Sequence, residues 1–108
     1  MALLKGTLDV LVLKALSWGP MHGFEITSWL EERSGGEVNV VDAALLQALH
    51  RMEERRLITA AWGVTKNDRR ARYYKLTARG RAELKAQAAA LAQHVSALTA
   101  VLSARTAR

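Results

Sequence analysis

The apolar positions of the chain recur at helical spacing in four places and alternate in three shorter ones. Leu4, Leu8, Leu11, Val12 and Ala15 repeat every three or four residues, while Leu3, Val10, Leu13 and Leu16 add apolar surface on other faces, which predicts a first helix buried on more than one side. Ser17-Trp18-Gly19-Pro20 ends it, because proline cannot continue a helix. From Met21 to about Arg33 a second helix is predicted, with Phe24, Ile26, Trp29 and Leu30 set among Glu25, Glu31, Glu32 and Arg33, and Ser34-Gly35-Gly36 as its stop. Its exposed face is acidic. Glu37-Val38-Asn39-Val40 alternates polar with β-branched residues and predicts a short strand.

Asp42 is placed to cap a third helix that runs to about Arg56. Leu45, Leu49 and Met52 mark its inner face, leaving Gln47, His50, Arg51, Glu54 and Arg55 outside. Residues 57–62 and 71–76, rich in β-branched and aromatic side chains, predict two strands joined by the polar loop from Gly63 to Arg70. From Thr77, a residue suited to an N-cap, to about Ala104 an alanine-rich stretch predicts a helix of roughly 27 residues, about 40 Å long. Along it Leu84, Ala88, Leu91, Val95, Leu98 and Leu102 follow one another at spacings of four and three. That is a heptad seam, and a seam of nearly three heptads needs a partner surface.

Helix, helix, short strand, helix, hairpin is the order of a winged helix-turn-helix. The expected fold is therefore mainly α, with a two-stranded β-wing and a long C-terminal dimerisation helix. Residues 1–76 are expected to form the head and 77–108 the dimerisation helix, within one compact unit. A chain of 108 residues, 50% hydrophobic and 24% charged, suits one such domain. A small domain with surplus apolar residues commonly completes its core by pairing.

Charge adds a direction to this picture. The net charge is +6, and it is unevenly spread: residues 1–40 carry three Lys/Arg against five Asp/Glu, and residues 41–80 nine against four. The basic middle third coincides with the third helix and the hairpin. In a winged helix-turn-helix the third helix enters the DNA major groove and the wing lies along the phosphate backbone. Gln47, His50 and Arg51 are then the candidates for base contact, and Lys66, Arg69, Arg70 and Arg72 those for phosphate.

Several segments resemble the PadR family of transcriptional regulators. They are Leu4-Lys5-Gly6-Thr7-Leu8-Asp9, Gly19-Pro20-Met21-His22-Gly23-Phe24-Glu25-Ile26, Ala48-Leu49-His50-Arg51-Met52-Glu53-Glu54-Arg55, Trp62-Gly63, and Asn67-Asp68-Arg69-Arg70-Ala71-Arg72-Tyr73-Tyr74-Lys75-Leu76-Thr77 with Gly80. The resemblance implies a homodimeric regulator, usually a repressor, of the short subgroup with one C-terminal dimerisation helix, partnered by operator DNA and by a second copy of itself. At the start of the third helix that family usually has serine, tyrosine and proline, where this chain has Ala44, Leu46 and Gln47. Neither Ala44 nor Leu46 can hydrogen-bond a phosphate through its side chain.

The rival reading is a winged helix kept for dimerisation or protein binding with weakened DNA binding. The four wing cations speak against it. An enzyme is not expected: His22, His50 and His94 fall on three separate predicted segments, the chain has no cysteine, and no nucleophile or phosphate-loop motif is present. No metal or cofactor is expected, and the absence of cysteine fits a cytoplasmic protein. The Leu-rich opening from Ala2 to Leu16 is interrupted by Lys5, Asp9 and Lys14, too short and too charged for a membrane span. Trp18, Trp29 and Trp62 are expected in core and wing packing; an effector site, should one exist, would lie near Trp18 and the first helix.

Overall fold

The computed structural model describes residue 3 and residues 6–105. Ala2, Leu4 and Lys5 of the predicted first helix and family motif, and the tail beyond Arg105, lie outside the described residues.

The first helix, α1, spans Thr7–Leu16 and follows Gly6, whose left-handed φ of 85° sets the chain's entry. Val10, Val12, Leu13, Ala15 and Leu16 are all buried, so α1 is covered on more than one side as its crowded apolar pattern implied. Met21–His22 is not the start of the second helix. It forms a two-residue strand, β1, and α2 spans Gly23–Arg33. His22, itself extended, closes the helix end with a capping box: its Nδ1 accepts the Glu25 N–H at 3.3 Å while its own N–H donates to Glu25 Oε1 at 3.1 Å.

The predicted strand at Glu37–Val40 is absent. That segment is irregular, tied locally by Val38 N–H donating to Ser34 Oγ at 2.8 Å and Asn39 Nδ2 donating to the Gly36 carbonyl at 2.8 Å. Its alternation records Val38 and Val40 packing against the core, not pairing in a sheet. The third helix, α3, spans Asp42–Glu54, and its N-cap is Val41 rather than Asp42. Asp42 lies inside the first turn, where its charge favours the positive end of the helix dipole without a capping bond.

The hairpin strands, β2 (Ile58–Val64) and β3 (Arg70–Leu76), pair antiparallel from Ile58↔Leu76 to Val64↔Arg70 and run closer to the tip than predicted. β1 joins the other edge of β3, giving the order β1-β3-β2. The core lies between α1, α2, α3 and this sheet, filled by Leu13, Leu16, Ile26, Leu49, Met52, Leu57 and Ile58, each under 2% exposed.

The last helix, α4, spans Ala78–Leu102 with Thr77 as its N-cap, the hydroxyl accepting the Gly80 N–H at 3.0 Å. Thr77 also donates to the Arg56 carbonyl at 2.7 Å, which locks the helix start to the turn after α3. Gly80 is the buried residue of α4, and a Cβ there would lie 2.0 Å from the Leu57 carbonyl oxygen. α4 stays alongside α1 as far as Val95 and Ser96 and then runs on beyond it, and the molecule measures 64 × 28 × 21 Å.

Candidate nucleic-acid interface

The third helix divides sharply into two faces. Leu45, Ala48, Leu49 and Met52 are at most 3% exposed, and Ala43, Leu46, Gln47, His50, Arg51 and Glu54 face solvent. The inner face fixes the outer one, because a helix held by four buried side chains cannot roll without opening the core.

The structure brings the base-facing candidates and one wing cation to a common place. Leu46, Gln47, His50, Arg51 and Glu53 of α3 and Arg72 and Tyr74 of β3 line an open groove of about 560 Å³. Two of its cations already have carboxylate partners. Arg51 Nη2 lies 2.9 Å from Asp9 Oδ1 of α1, and Arg72 Nη2 lies 2.9 Å from Glu53 Oε2. Both arginines remain about half exposed, so each also presents charge to the groove. His50 stands 3.9 Å from Glu54. Burial pushes the Tyr74 phenol above its ordinary pKa, opposed by the Arg72 charge, so Tyr74 enters the groove as a neutral hydroxyl.

Lys66, Arg69 and Arg70 lie elsewhere, at the end of the wing, and all are exposed. The tip is a tight turn: Thr65 N–H donates to the Arg69 carbonyl at 2.8 Å, Asp68 N–H to the Thr65 carbonyl at 2.9 Å, and Asp68 takes a φ of 62°. Arg70 is not free to sweep, since its guanidinium sits 4.9 Å from the Trp62 ring centroid. Gly63 is needed beside it, because a Cβ there would come within 2.7 Å of the Tyr73 ring.

The basic cluster read around the end of α3 is split by the fold. Arg55 turns away to Glu83 of α4, 3.3 Å distant, and Arg56 takes a positive φ of 61° in the turn that follows. Sequence reading missed Asp9, Glu53 and Tyr74. Asp9 and Glu53 are carboxylates whose partners are remote in sequence, so no local spacing marks them. Tyr74 carried a signal, alternation within a strand, but not one that says which groove it lines.

The tryptophans separate into two sites. Trp18 and Trp29 flank Arg33, with ring centroids 5.4 and 5.3 Å from its guanidinium, and Trp62 belongs to the wing. Among the described residues no group of three or more His, Asp or Glu side chains could hold a metal ion. No helix among them is long and apolar enough to cross a membrane.

The seam residues of α4 differ in exposure. Leu84 and Leu91 are half-buried, Ala88 is exposed, and Val95, Leu98 and Leu102 are 51%, 47% and 84% exposed. Leu84, Ala88, Leu91 and Val95 face Val10, Leu11 and Lys14 of α1 across an open apolar groove of about 500 Å³.

Known proteins resemble this chain in sequence or in fold. An uncharacterized protein from Lysinibacillus sphaericus is 26% identical over 82 residues, which cover 76% of this chain and 75% of that one. A PadR-like transcriptional regulator from Bacillus cereus superposes with a TM-score of 0.80 at 20% identity, covering 94% of this chain and 96% of that chain. Bacillus subtilis PadR, solved in complex with operator DNA, superposes with a TM-score of 0.67 at 23% identity over 76% of this chain and 46% of that chain. The pattern of the family described as "Transcriptional regulator PadR-like family" matches residues 12–86, from α1 through both wing strands into the first turns of α4. A match over residues 12–86, on a chain with the fold of several PadR-like structures, establishes that this chain belongs to the PadR-like family of transcriptional regulators.

Proposed function

We propose that the chain is a sequence-specific DNA-binding regulator, a homodimeric repressor of the PadR type acting on a pseudo-palindromic operator in the cytoplasm. The observation that carries this reading is the shared groove of α3 and β3, where Gln47, His50, Arg51 and Arg72 are all exposed while the opposite face of α3 is locked in the core. Gln47, His50 and Arg51 contact bases. Arg72 and the tip cations Lys66, Arg69 and Arg70 contact phosphates, with Arg70 held in place by Trp62. That Bacillus subtilis PadR, which shares this fold, is solved in complex with operator DNA supports DNA as the partner.

In this reading residues 1–76 form the DNA-binding head and residues 77–108 the dimerisation helix, whose seam of Leu84, Ala88, Leu91, Val95, Leu98 and Leu102 meets that of a second copy. The two heads then face half-sites about one helical turn apart, near 34–36 Å. A dimer covering its operator excludes other proteins from that DNA, which is the simplest form of repression. No effector is assigned.

One observation favours a second reading, an interaction module that has lost its grip on DNA: Leu46 and Ala43 put apolar surface on the outer face of α3. Salt dependence separates the two. If each head neutralises on the order of four phosphates, the dimer's log–log salt slope is about −7. Arg70→Ala lowers affinity for operator and random DNA alike and makes the slope shallower by about one per protomer. A wild-type slope shallower than about −3 would take the wing off the phosphates and put the interaction module ahead.

A further inference from the structure

Leu46 is a large apolar side chain in an unusual place. It is 58% exposed while its neighbour Leu45 is 3% exposed, so the rotation of α3 that seats Leu45 in the core turns Leu46 outward. An exposed leucine alone needs no explanation. This one lies in the N-terminal half of α3, the half that a winged helix presents to bases, and it lines the groove with Gln47, His50, Arg51 and Arg72. Ala43, one turn earlier on the same face, is also exposed and offers no hydrogen-bonding group.

We propose that Leu46 is a specificity-determining residue that reads the C5-methyl group of a thymine in the major groove. The proposal rests on the DNA-binding reading above. Of the groups that base pairs display in the major groove, the thymine methyl is the one substantial apolar projection; the nitrogen and oxygen edge atoms are donors or acceptors. A leucine side chain cannot satisfy those atoms and desolvates them without return. Against a methyl group it buries apolar surface on both sides. Gln47, adjacent and equally outward, has the amide that pairs two-pronged with adenine N6 and N7. The two residues together select neighbouring A·T pairs, with Leu46 on a thymine methyl and Gln47 on an adenine edge. The surrounding cations suit a polyanion better than the apolar surface of a protein partner.

The test uses duplexes enriched from a random library by the full-length protein, each then made in two forms, with thymine or with deoxyuridine across the half-sites. Uracil keeps every hydrogen-bonding atom of thymine and lacks only the methyl. The wild-type protein is expected to bind the uracil form more weakly by about fourfold per contacted methyl, on the order of fifteenfold when two half-sites are engaged. Leu46→Ala, which removes no core contact, is expected to bind both forms alike, at about the affinity of wild type for the uracil form. Equal wild-type affinity for the two forms, or a thymine preference that survives in Leu46→Ala, overturns the assignment of Leu46 and leaves DNA binding standing. Enrichment of no DNA at all overturns both.

Discussion

The helices α3 and α4 both carry apolar side chains into solvent, but they are supported in opposite ways. α3 drives four residues of its 13 into the core, and its exposed apolar residue Leu46 stands among Gln47, His50 and Arg51. α4 has 25 residues, of which Gly80 alone is fully buried, and it ends with Val95, Leu98, Val101 and Leu102 exposed. From Ala86 to its end at Leu102 it contains no Asp, Glu, Lys or Arg. A helix held by its own fold can give its outer face to contacts with a ligand. A helix that runs past its own head, with an uncharged outer end that exposes apolar side chains, calls for a second surface, because helix propensity by itself leaves an isolated helix marginal in water.

The strongest way to break this contrast is to place a charge on the outer half of α4. Leu98→Asp would bring two unpaired carboxylates into an apolar seam, at a cost of several kcal/mol to association. Sedimentation should show a monomer whose head retains its helical circular dichroism. A Leu98→Asp dimer of wild-type strength would mean that α4 is not paired through this face.

A smaller effect tests the other end of the helix. Alanine for glycine inside a helix ordinarily stabilises by about 1 kcal/mol. At Gly80 the added Cβ would sit 2.0 Å from the Leu57 carbonyl oxygen, so Gly80→Ala should instead destabilise by about 3 kcal/mol and lower the Tm by on the order of 10–20 °C. A rise in Tm would show that α4 is not seated on the turn after α3.

The smallest effect concerns the link between the two helices, from Arg55 at the C-cap of α3 to Glu83 of α4. The hydrogen bond from Gln87 and the pairing with Arg55 hold the Glu83 carboxyl below its ordinary pKa. A depressed carboxylate pKa contributes stability that is present above the unfolded value and lost as pH falls through the folded one. Wild type should therefore exceed Glu83→Gln in stability at pH 7 by less than about 1 kcal/mol, as expected of a pair this exposed, and the difference should shrink as acid protonates the Glu83 carboxyl. A difference that did not change on acidification would remove the ion pair from the account.

What could be read in advance follows from range. The inner faces of α1 and α3, the Thr77 cap and the wing strands are written in spacings of four residues or fewer, and each is found in the structure. The errors share the opposite property. Met21–His22 reads as a helix start because two residues carry no period, and only Tyr73 and Tyr74 of the distant β3 make them a strand. Val38 and Val40 alternate as a strand would, yet the core takes them without any pairing. Asp42 has the side chain of a cap and sits one residue too late.

The same division runs through the candidate interface. Sequence alone determined that the basic residues gather on the third helix and the hairpin and that an uncharged heptad seam occupies the last helix, since both are statements about neighbours in the chain. Tertiary structure decided how those residues are placed: Arg51 on Asp9, Arg72 on Glu53, Arg55 turned away to Glu83, Arg70 over Trp62, and Leu46 exposed in the groove. Each depends on which elements pack together, and packing brings side chains from remote parts of the chain within 3–5 Å, where charge and shape act.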